Sequence, residues 1–445
     1  DRVYGTGTRT HHNISATGGS DRVRFFASIG YLNEDGNIDN YGYNRLNLRS
    51  NIDAKLTKSL TFTLGVSGRI EKRDSPRYSA DPNAWHNVPQ QIIRALPYVP
   101  DTYEYEGKTY NVSTPTASSP VAPVASINES GYSKSNYSYI QSNFSLKYDA
   151  PWLKGLSFKF QGAYDLTYNF SKILSNPYEV MIMNLPTIES TSLTYYKGTD
   201  ASGNSISLSE SASRGYTFTT QSSVTYDNKF GKHTVGAMFL AETRENKSNA
   251  LSATGYGLDF IQLDELNQIT NKTGNGAEKF PSIGGYSGHT RVAGFVGRVN
   301  YNYDDKYFLE ASLRHDGSYL FGGMNKRWVT LPGVSAGWRL NNESWFNAPW
   351  VNNLKLRAGI GKTATSGVSA FQWRNTMGIS KNAVVIGGRS QTMMYASVLG
   401  NPNLSWAQCL NYNVGFDATM WNVLLGLEVD VFYKNQYEKP VSDTQ

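Results

Sequence analysis

One short string of this sequence could supply a catalytic nucleophile. Residues 333–337 read Gly-Val-Ser-Ala-Gly, the G-x-S-x-G pattern that exposes a serine on a sharp turn between a strand and a helix. Here alternate apolar residues continue through the string, at Val334, Ala336 and Trp338, which predicts an uninterrupted strand. We therefore expect Ser335 to lie on the polar face of that strand, and it is the one candidate nucleophile for a barrel enzyme.

The sequence contains residues that are found in phosphate and metal sites, but the neighbouring residues do not complete either kind of site. Residues 359–363 resemble the end of a phosphate-binding loop, but Leu356 stands where the first glycine is needed and no helix is predicted afterwards. The six histidines show no metal-ligand spacing, and the single cysteine, Cys409, cannot form an internal disulfide. We expect no enzyme activity, no metal site and no cofactor.

Aromatic side chains between the predicted strands form a second set of candidates. Rings displayed beside Asn, Asp and Arg can stack on sugars or hold a peptide, although rings also pack loops together. The predicted substrate contacts are Trp85, Tyr98, Tyr195, Tyr286, Trp373 and Tyr395. Further rings of the same segments are Tyr103, Tyr105 and Phe321.

The elements that must position these residues are β-strands. Apolar and polar residues alternate in run after run, and a helical stripe of 3.6 residues is almost absent. The run 156–170 is about 50 Å long at about 3.3 Å per residue. The predicted strands are 10–18, 22–33, 44–54, 60–72, 137–148, 156–170, 214–227, 233–244, 290–303, 307–316, 328–340, 353–361, 410–420 and 424–434.

The connections between these strands are alternately short and long. In an up-and-down sheet all short turns then fall at one end and all long loops at the other, as in outer-membrane barrels. Rings such as Tyr301, Tyr303 and Trp421 stand beside the short turns, where a membrane interface favours them. A row of soluble β-sandwiches or a propeller is the alternative, but the strands of a soluble sandwich would be shorter. The predicted fold is all-β, an antiparallel up-and-down transmembrane β-barrel with long extracellular loops.

In such a barrel the polar side of each strand would face the lumen. Eleven charged side chains would then project inward: Arg45, Arg49, Asp53, Arg69, Lys159, Asp165, Arg298, Glu310, Arg314, Arg339 and Asp417. They predict a hydrated lumen wall of both signs. Contact with substrate is one role for them, and pairing with one another or with a plug is the other.

Composition excludes several classes. Only 18% of the 445 residues are charged, whereas 58 are aromatic, and no run approaches the roughly 18 apolar residues of a membrane helix. The net charge of +6 is spread along the chain without a basic run, so a nucleic-acid partner is not expected.

Blocks scattered over nearly the whole chain carry a more specific signal. They are HNIS (12–15), YLNEDG (31–36), YNRLNLRSN (43–51), SLRHDGS (312–318), PGVSAGWR (332–339) and NPNLSW (401–406). Together these blocks resemble the barrel strands of SusC/RagA-type TonB-dependent outer-membrane transporters of Bacteroidetes.

The resemblance implies a barrel of roughly 22 strands with a plugged lumen. It implies import of large nutrients, most readily oligosaccharides, energised by TonB under a SusD-like surface lipoprotein. Its surroundings would be outer-membrane lipid and lipopolysaccharide, and two transporter–lipoprotein pairs could form a dimer. A peptide importer of the same family, and a passive porin or barrel enzyme, are the alternatives.

Strand direction indicates that residues 1–445 are part of one barrel domain. The first predicted strand runs towards the short turns, whereas a barrel with both termini periplasmic begins with a strand running the other way. We therefore expect at least one strand before Asp1 and an odd number after Gln445. The plug domain, the TonB box and the final strands are expected outside this sequence.

Overall fold

The dominant element is one antiparallel sheet of fourteen strands, each paired with its neighbours in chain order. The computed structural model describes residues 3–77, 87–113, 122–184, 194–199, 205–322 and 324–437. The strands in chain order are β1 (Thr8–Gly19), β2 (Val23–Asp35), β3 (Gly42–Lys55), β4 (Leu60–Pro76), β5 (Thr102–Tyr105), β6 (Lys108–Ser113), β7 (Gly131–Asp149), β8 (Leu156–Ser175), β9 (Glu179–Asn184), β10 (Thr194–Thr199), β11 (Ser207–Phe230), β12 (His233–Tyr256), β13 (Ser282–Tyr303), β14 (Tyr307–Ser318), β15 (Trp328–Arg339), β16 (Val351–Thr365), β17 (Thr376–Ile386), β18 (Arg389–Val398), β19 (Ala407–Met420) and β20 (Leu425–Tyr437).

All fourteen predicted strands are confirmed, and together they form this sheet, which bears out the predicted fold class. The remaining six strands, β5, β6, β9, β10, β17 and β18, belong to two smaller sheets within the long connections. The sequence did not predict them.

Alternation along each strand gives the large sheet two different faces. We call the face that carries Leu48 the apolar face; Leu48 is opposite Ile29 on β2 and Gly68 on β4. Large side chains of this face are exposed, including Phe160, Phe239 and Leu313. We call the opposite face, which carries Arg45, the polar face. Exposed rings and aliphatic chains over a whole face fit a surrounding of lipid.

Aromatic side chains line the end of the sheet where the connections are short, which we call the turn end. The rings of Trp350 and Trp421 stack with centroids 5.7 Å apart, and those of Tyr303 and Tyr307 with centroids 6.3 Å apart. Trp152, in the turn between β7 and β8, is 69% exposed. This confirms the predicted row of rings beside the short turns.

Several strands extend well past their predicted limits at the opposite end, the loop end. β12 continues from residue 244 to Tyr256, and β13 begins at Ser282 where residue 290 was predicted. Their backbones stay paired, with Ala253 opposite Ile283. The alternation of apolar and polar residues ends earlier than the strands do.

A small folded unit, the loop module, occupies the long connection between β4 and β7 together with part of the next long connection. It contains helices α1 (Val88–Arg94) and α2 (Pro123–Asn128) and a sheet in the order β10-β9-β6-β5. β9 is buried on both sides. Val180 packs with the helices, and Met181 and Met183 pack with Tyr110.

The remaining elements are short. A four-residue helix, α3 (Met324–Arg327), precedes β15, and single 3-10 turns lie at Leu266–Gln268 and Leu340–Asn342. In the described part of the chain, no helix combines the length and the apolar character that crossing a membrane would require.

Candidate functional site

The register of the sheet places all eleven predicted wall residues on one face. Residues that are paired across antiparallel strands share a face, and side chains two apart along a strand do as well. Arg45 is opposite Glu71, Lys355 is opposite both Arg339 and Asp417, and the pairs between them preserve the same side. The face prediction therefore agrees with the register from β3 to β19.

Many charges of the polar face pair with one another. The guanidinium of Arg69 lies 2.9 Å from the Glu71 carboxylate, and that of Arg314 lies 2.6 Å from Asp316. Arg357 contacts three carboxylates at once: Asp417 at 2.7 Å, and Glu428 and Asp430 each at 3.1 Å. Self-pairing therefore accounts for part of the predicted wall.

Other wall residues keep their charges available. Within the described ranges, Lys159, Arg298 and Glu310 have no ion-pair partner. Glu310 is opposite Asn300 on one side and Ser335 on the other. These side chains could bind the polar groups of a passing ligand.

Glycines open a hollow beside Glu310. The hollow has a volume of about 500 Å³, and Gly337 and Gly359 lie in its floor, where they contribute no side chain. Its rim carries neutral and charged hydrogen-bonding groups, namely Asn300, Asn302, Glu310, Ser335, Lys355, Arg357 and Asn413. Such a rim can receive hydroxyl or amide groups.

Ser335 lies in the middle of β15, not on a turn. Its neighbours across the sheet are Glu310 and Gly359, and the strand continues in both directions. The geometry of a nucleophile elbow is therefore absent at this serine. In the described ranges, no cluster of three or more His, Cys, Asp or Glu side chains could hold a metal ion.

Two polar pockets lie at the loop end, where the loop module meets the sheet. Their volumes are about 560 and 630 Å³, and both are lined by Asn128, Gly131 and Tyr132. The first also has the rings of Tyr110 and Tyr178 in its wall. Neither pocket was predicted, because its residues come from segments far apart in the sequence.

Glu129 is the central ionisable group of the first pocket. The Asn111 side chain donates a hydrogen bond of 2.6 Å to its carboxylate, and the Asn176 side chain donates one of 2.9 Å to its backbone carbonyl. Burial raises the pKa of Glu129, and the Asn111 hydrogen bond and the nearby Lys108 oppose that shift in part. Lys108 itself lies 3.1 Å from Glu179.

The six predicted contact rings have different surroundings. Tyr98, after α1, is 59% exposed, and Tyr286, on the polar-face side of β13, is 68% exposed. Tyr395 is exposed on β18, where its ring covers Gly378. The backbone of Tyr195 lies in β10, and Trp85 lies outside the described residues.

Trp373 packs inside the loop end more than it faces solvent. It is half-buried against a cluster formed by Phe321, Val329, Leu404 and Trp406. Phe321, expected as a displayed ring, is fully buried in that cluster. The expectation for Phe321 is wrong because a loop of this size builds its own small core, and nearby rings fill it.

Residues 84–445 match the family model described as TonB dependent receptor-like, beta-barrel. This match covers well over half of the chain. The chain belongs to the TonB-dependent receptor β-barrel family.

Relatives of this TonB-dependent receptor barrel support the SusC/RagA type. TonB-dependent receptor P26 of Formosa agariphila is 24% identical over 438 residues, which are 98% of this chain and 40% of the relative. TonB-dependent receptor SusC of Bacteroides thetaiotaomicron is 25% identical over 152 residues, 34% of this chain and 15% of SusC. The chain thus spans about 40% of the length of the first of these relatives.

A solved structure shows the same fold. The RagAB peptide transporter superimposes with a TM-score of 0.74 at 22% identity, over 98% of this chain and 45% of that one. TonB-dependent receptor barrels are integral proteins of the bacterial outer membrane and are not enzymes. This membership agrees with the predicted resemblance and with the predicted location in the outer membrane. It also agrees with the prediction that the chain is not an enzyme.

Proposed function

We propose that this barrel belongs to an active importer of large nutrients, with oligosaccharides as the preferred cargo. The observation that carries the proposal is the polar face, which combines neutral hydroxyl and amide groups with charges that have no ion-pair partner among the described residues. The side chains of Thr217, Asn246 and Thr290 form a hydrogen-bonded row across three strands, with distances of 2.6 and 3.1 Å. Sugar hydroxyls both donate and accept hydrogen bonds, so such groups suit them.

Side chains at the loop end provide the second line of support for the proposal. The exposed rings of Tyr98 and Tyr286 offer flat apolar surfaces near the loop end, and the pockets beside Tyr132 offer amide and carboxylate groups. Ligand would first meet these groups and then the polar face, with Arg298 and Glu310 facing the lumen. Further candidate contacts are Tyr195, Tyr395, Trp373 and Trp85.

Partners of the importer follow from the family type. A SusD-like lipoprotein would close over the long loops, and TonB would act through a plug and a TonB box supplied by the rest of a longer protein. Further strands of that protein would complete the barrel beside β1 and β20. Two transporter–lipoprotein pairs would form the assembled dimer.

Peptide import is the second candidate, because the RagAB transporter, which has this fold, is a peptide transporter. A peptide presents backbone amides and charged termini, which the Lys108–Glu179 pair and Glu310 could recognise. The ligand that remains bound after purification therefore distinguishes a glycan importer from a peptide importer.

The experiment is a purification of the full-length protein from its native outer membrane in mild detergent. Mass spectrometry then identifies both the proteins and the small molecules that accompany it. We expect a surface lipoprotein and bound oligosaccharide. Bound peptide would replace the glycan assignment with the second candidate, and a barrel that emerges without a lipoprotein would favour a porin.

A further inference from the structure

A basic patch lies on the outside of the barrel, on the apolar-face side of three neighbouring strands. It consists of Arg214 on β11, Lys247 on β12, and His289 and Arg291 on β13. Lys247 is directly opposite His289. Lys247 and Arg214 stand on a diagonal, about 7–8 Å apart at the backbone. All four side chains are exposed.

The position of the patch along the strands is well defined. Between the turn end and the patch, outward residues of β12 run from His233 to Thr243 and include Val235 and Phe239. This run is eleven residues long, within the range of about 9–11 residues that a tilted strand needs to cross a bilayer. The patch therefore begins where the apolar belt ends.

Aromatic side chains mark the same level. Tyr164 and Tyr216 stack with ring centroids 5.4 Å apart, and Tyr216 is directly opposite Lys247. Further along the sheet, His315 and Trp328 stack with ring centroids 4.9 Å apart. Rings of this kind collect at the level of lipid headgroups.

The charges of the patch do not cancel. Glu245, the single carboxylate within it, lies 2.7 Å from the His289 ring nitrogen and 3.1 Å from the Arg291 guanidinium. Arg214 and Lys247 have no ion-pair partner among the described residues. Arg214, Lys247 and Arg291 against Glu245 give a formal charge of +2, before any protonation of His289.

We propose that this patch binds the phosphate-bearing headgroup of an outer-leaflet lipid. A ligand held there would have the apolar belt directly beneath it, so its acyl chains could lie against Phe218 and Phe239. Arginine and lysine recognise phosphate through charge-assisted hydrogen bonds. The inference depends on the membrane location of the barrel and not on which nutrient it carries.

Binding of diphosphoryl lipid A to the purified full-length protein tests this proposal. The test variant carries Arg214→Ser and Lys247→Ser. The control carries Arg244→Ser, which removes a cation from the polar face of the same strand. By native mass spectrometry we expect the double variant to bind about 25-fold more weakly, about fivefold for each basic side chain, and the control to bind like the wild type.

A wild-type comparison keeps the test independent of how well the variants assemble. Dephosphorylated lipid A is expected to bind the unaltered protein at least tenfold more weakly than the diphosphoryl form, in line with the loss of charge-assisted contacts. Equal binding of the two lipids would overturn the proposal. Displacement of the lipid by millimolar inorganic phosphate would overturn it as well, because it would show a site for free phosphate.

Discussion

At the residue scale, the partial desolvation of the Glu129 carboxylate makes the loop module sensitive to pH. Because burial raises the pKa of Glu129 above its ordinary value of 4.5, the folded module binds the proton more tightly than the unfolded chain does. This contribution to stability is present below the ordinary pKa and is lost as the pH rises through the raised value. We expect Glu129→Gln to stabilise the module at pH 7 and to remove this pH dependence.

Hydrogen exchange of the α2 and β6 amides, corrected for the intrinsic rate at each pH, measures the effect. The matched control is Glu104→Gln, which changes a carboxylate on β5 of the same module that does not line the Glu129 pocket. Slower exchange in the control as well would assign the effect to net charge. Faster exchange in Glu129→Gln at pH 7 would contradict the assigned cost of partly desolvating the charged Glu129 carboxylate.

Among the candidate contact rings, Tyr286 has the surroundings that best suit ligand binding. It projects from the polar-face side of β13 near the loop end, with its ring open to solvent. A stacked aromatic ring contributes about 0.5–1.5 kcal/mol beyond its buried area. We therefore expect Tyr286→Ala to weaken binding of the co-purified oligosaccharide by roughly tenfold, measured by titration calorimetry.

Ile283→Ala provides the matched control for that titration. Ile283 lies on the same strand and is 83% exposed, but it faces the opposite side of the sheet. An unchanged affinity in this control, together with a loss in Tyr286→Ala, places ligand on the polar-face side. A loss of equal size in both variants would point to a general disturbance of β13.

At the scale of elements, the two faces of the sheet explain why the large strands were predictable. Lipid on one side and polar groups on the other impose a period of two, and a slip of one residue would send Arg45 and Arg49 into lipid. The same reasoning explains the error at the loop end. Beyond the membrane both faces of β12 and β13 meet polar surroundings, so alternation fades although backbone pairing continues.

Exchange of one side chain on each face tests this explanation. Phe239 lies near the middle of the apolar belt on β12, and Leu240 is next to it on the polar face. An arginine facing lipid at mid-membrane costs about 2–4 kcal/mol. We expect Phe239→Arg to lower the free energy of unfolding of the protein from lipid vesicles by about 2–4 kcal/mol, measured by urea titration.

Leu240→Arg is the matched control, because it makes the same chemical change on the other side of the strand. Its partners across the sheet are Ser223 and Val296, and it does not face lipid. We expect a loss below 1.5 kcal/mol for this variant, comparable to other tolerated changes. Equal losses in the two variants would contradict the assignment of the faces.

The small sheets were harder to predict from sequence, although parts of them carry a signal. Glu106-Gly107 and Gly387-Gly388 have positive φ angles in the tight turns of β5–β6 and β17–β18, and such pairs favour two-residue hairpins. The parallel pair of β6 and β9 joins segments about 70 residues apart in the chain. Since β9 is buried on both sides, it shows no alternation.

The candidate site could also be predicted only in part from the sequence. The polar face follows from the period of two, which placed Arg298 and Glu310 on one side with Asp417. Loop rings carry no such periodicity, so the sequence could not distinguish the displayed Tyr286 from the packed Phe321. The pockets around Glu129 depend on long-range contacts of the loop module.

At the scale of the whole molecule, the proposed import would depend on more than the wall that these strands form. The chain spans about 40% of TonB-dependent receptor P26, and in the fourteen-stranded sheet β1 and β20 each pair with one neighbour. A TonB-driven importer needs a moving plug as well as a rigid wall. Transport experiments therefore require the full-length protein in its native membrane.

The most direct measurement is uptake of labelled oligosaccharides by cells that carry the full-length protein, with TonB present or deleted. We predict that the oligosaccharides accumulate when TonB is present, and that their uptake falls to the level of cells lacking the transporter when TonB is deleted. Uptake that persists without TonB would contradict active import and indicate a passive pore.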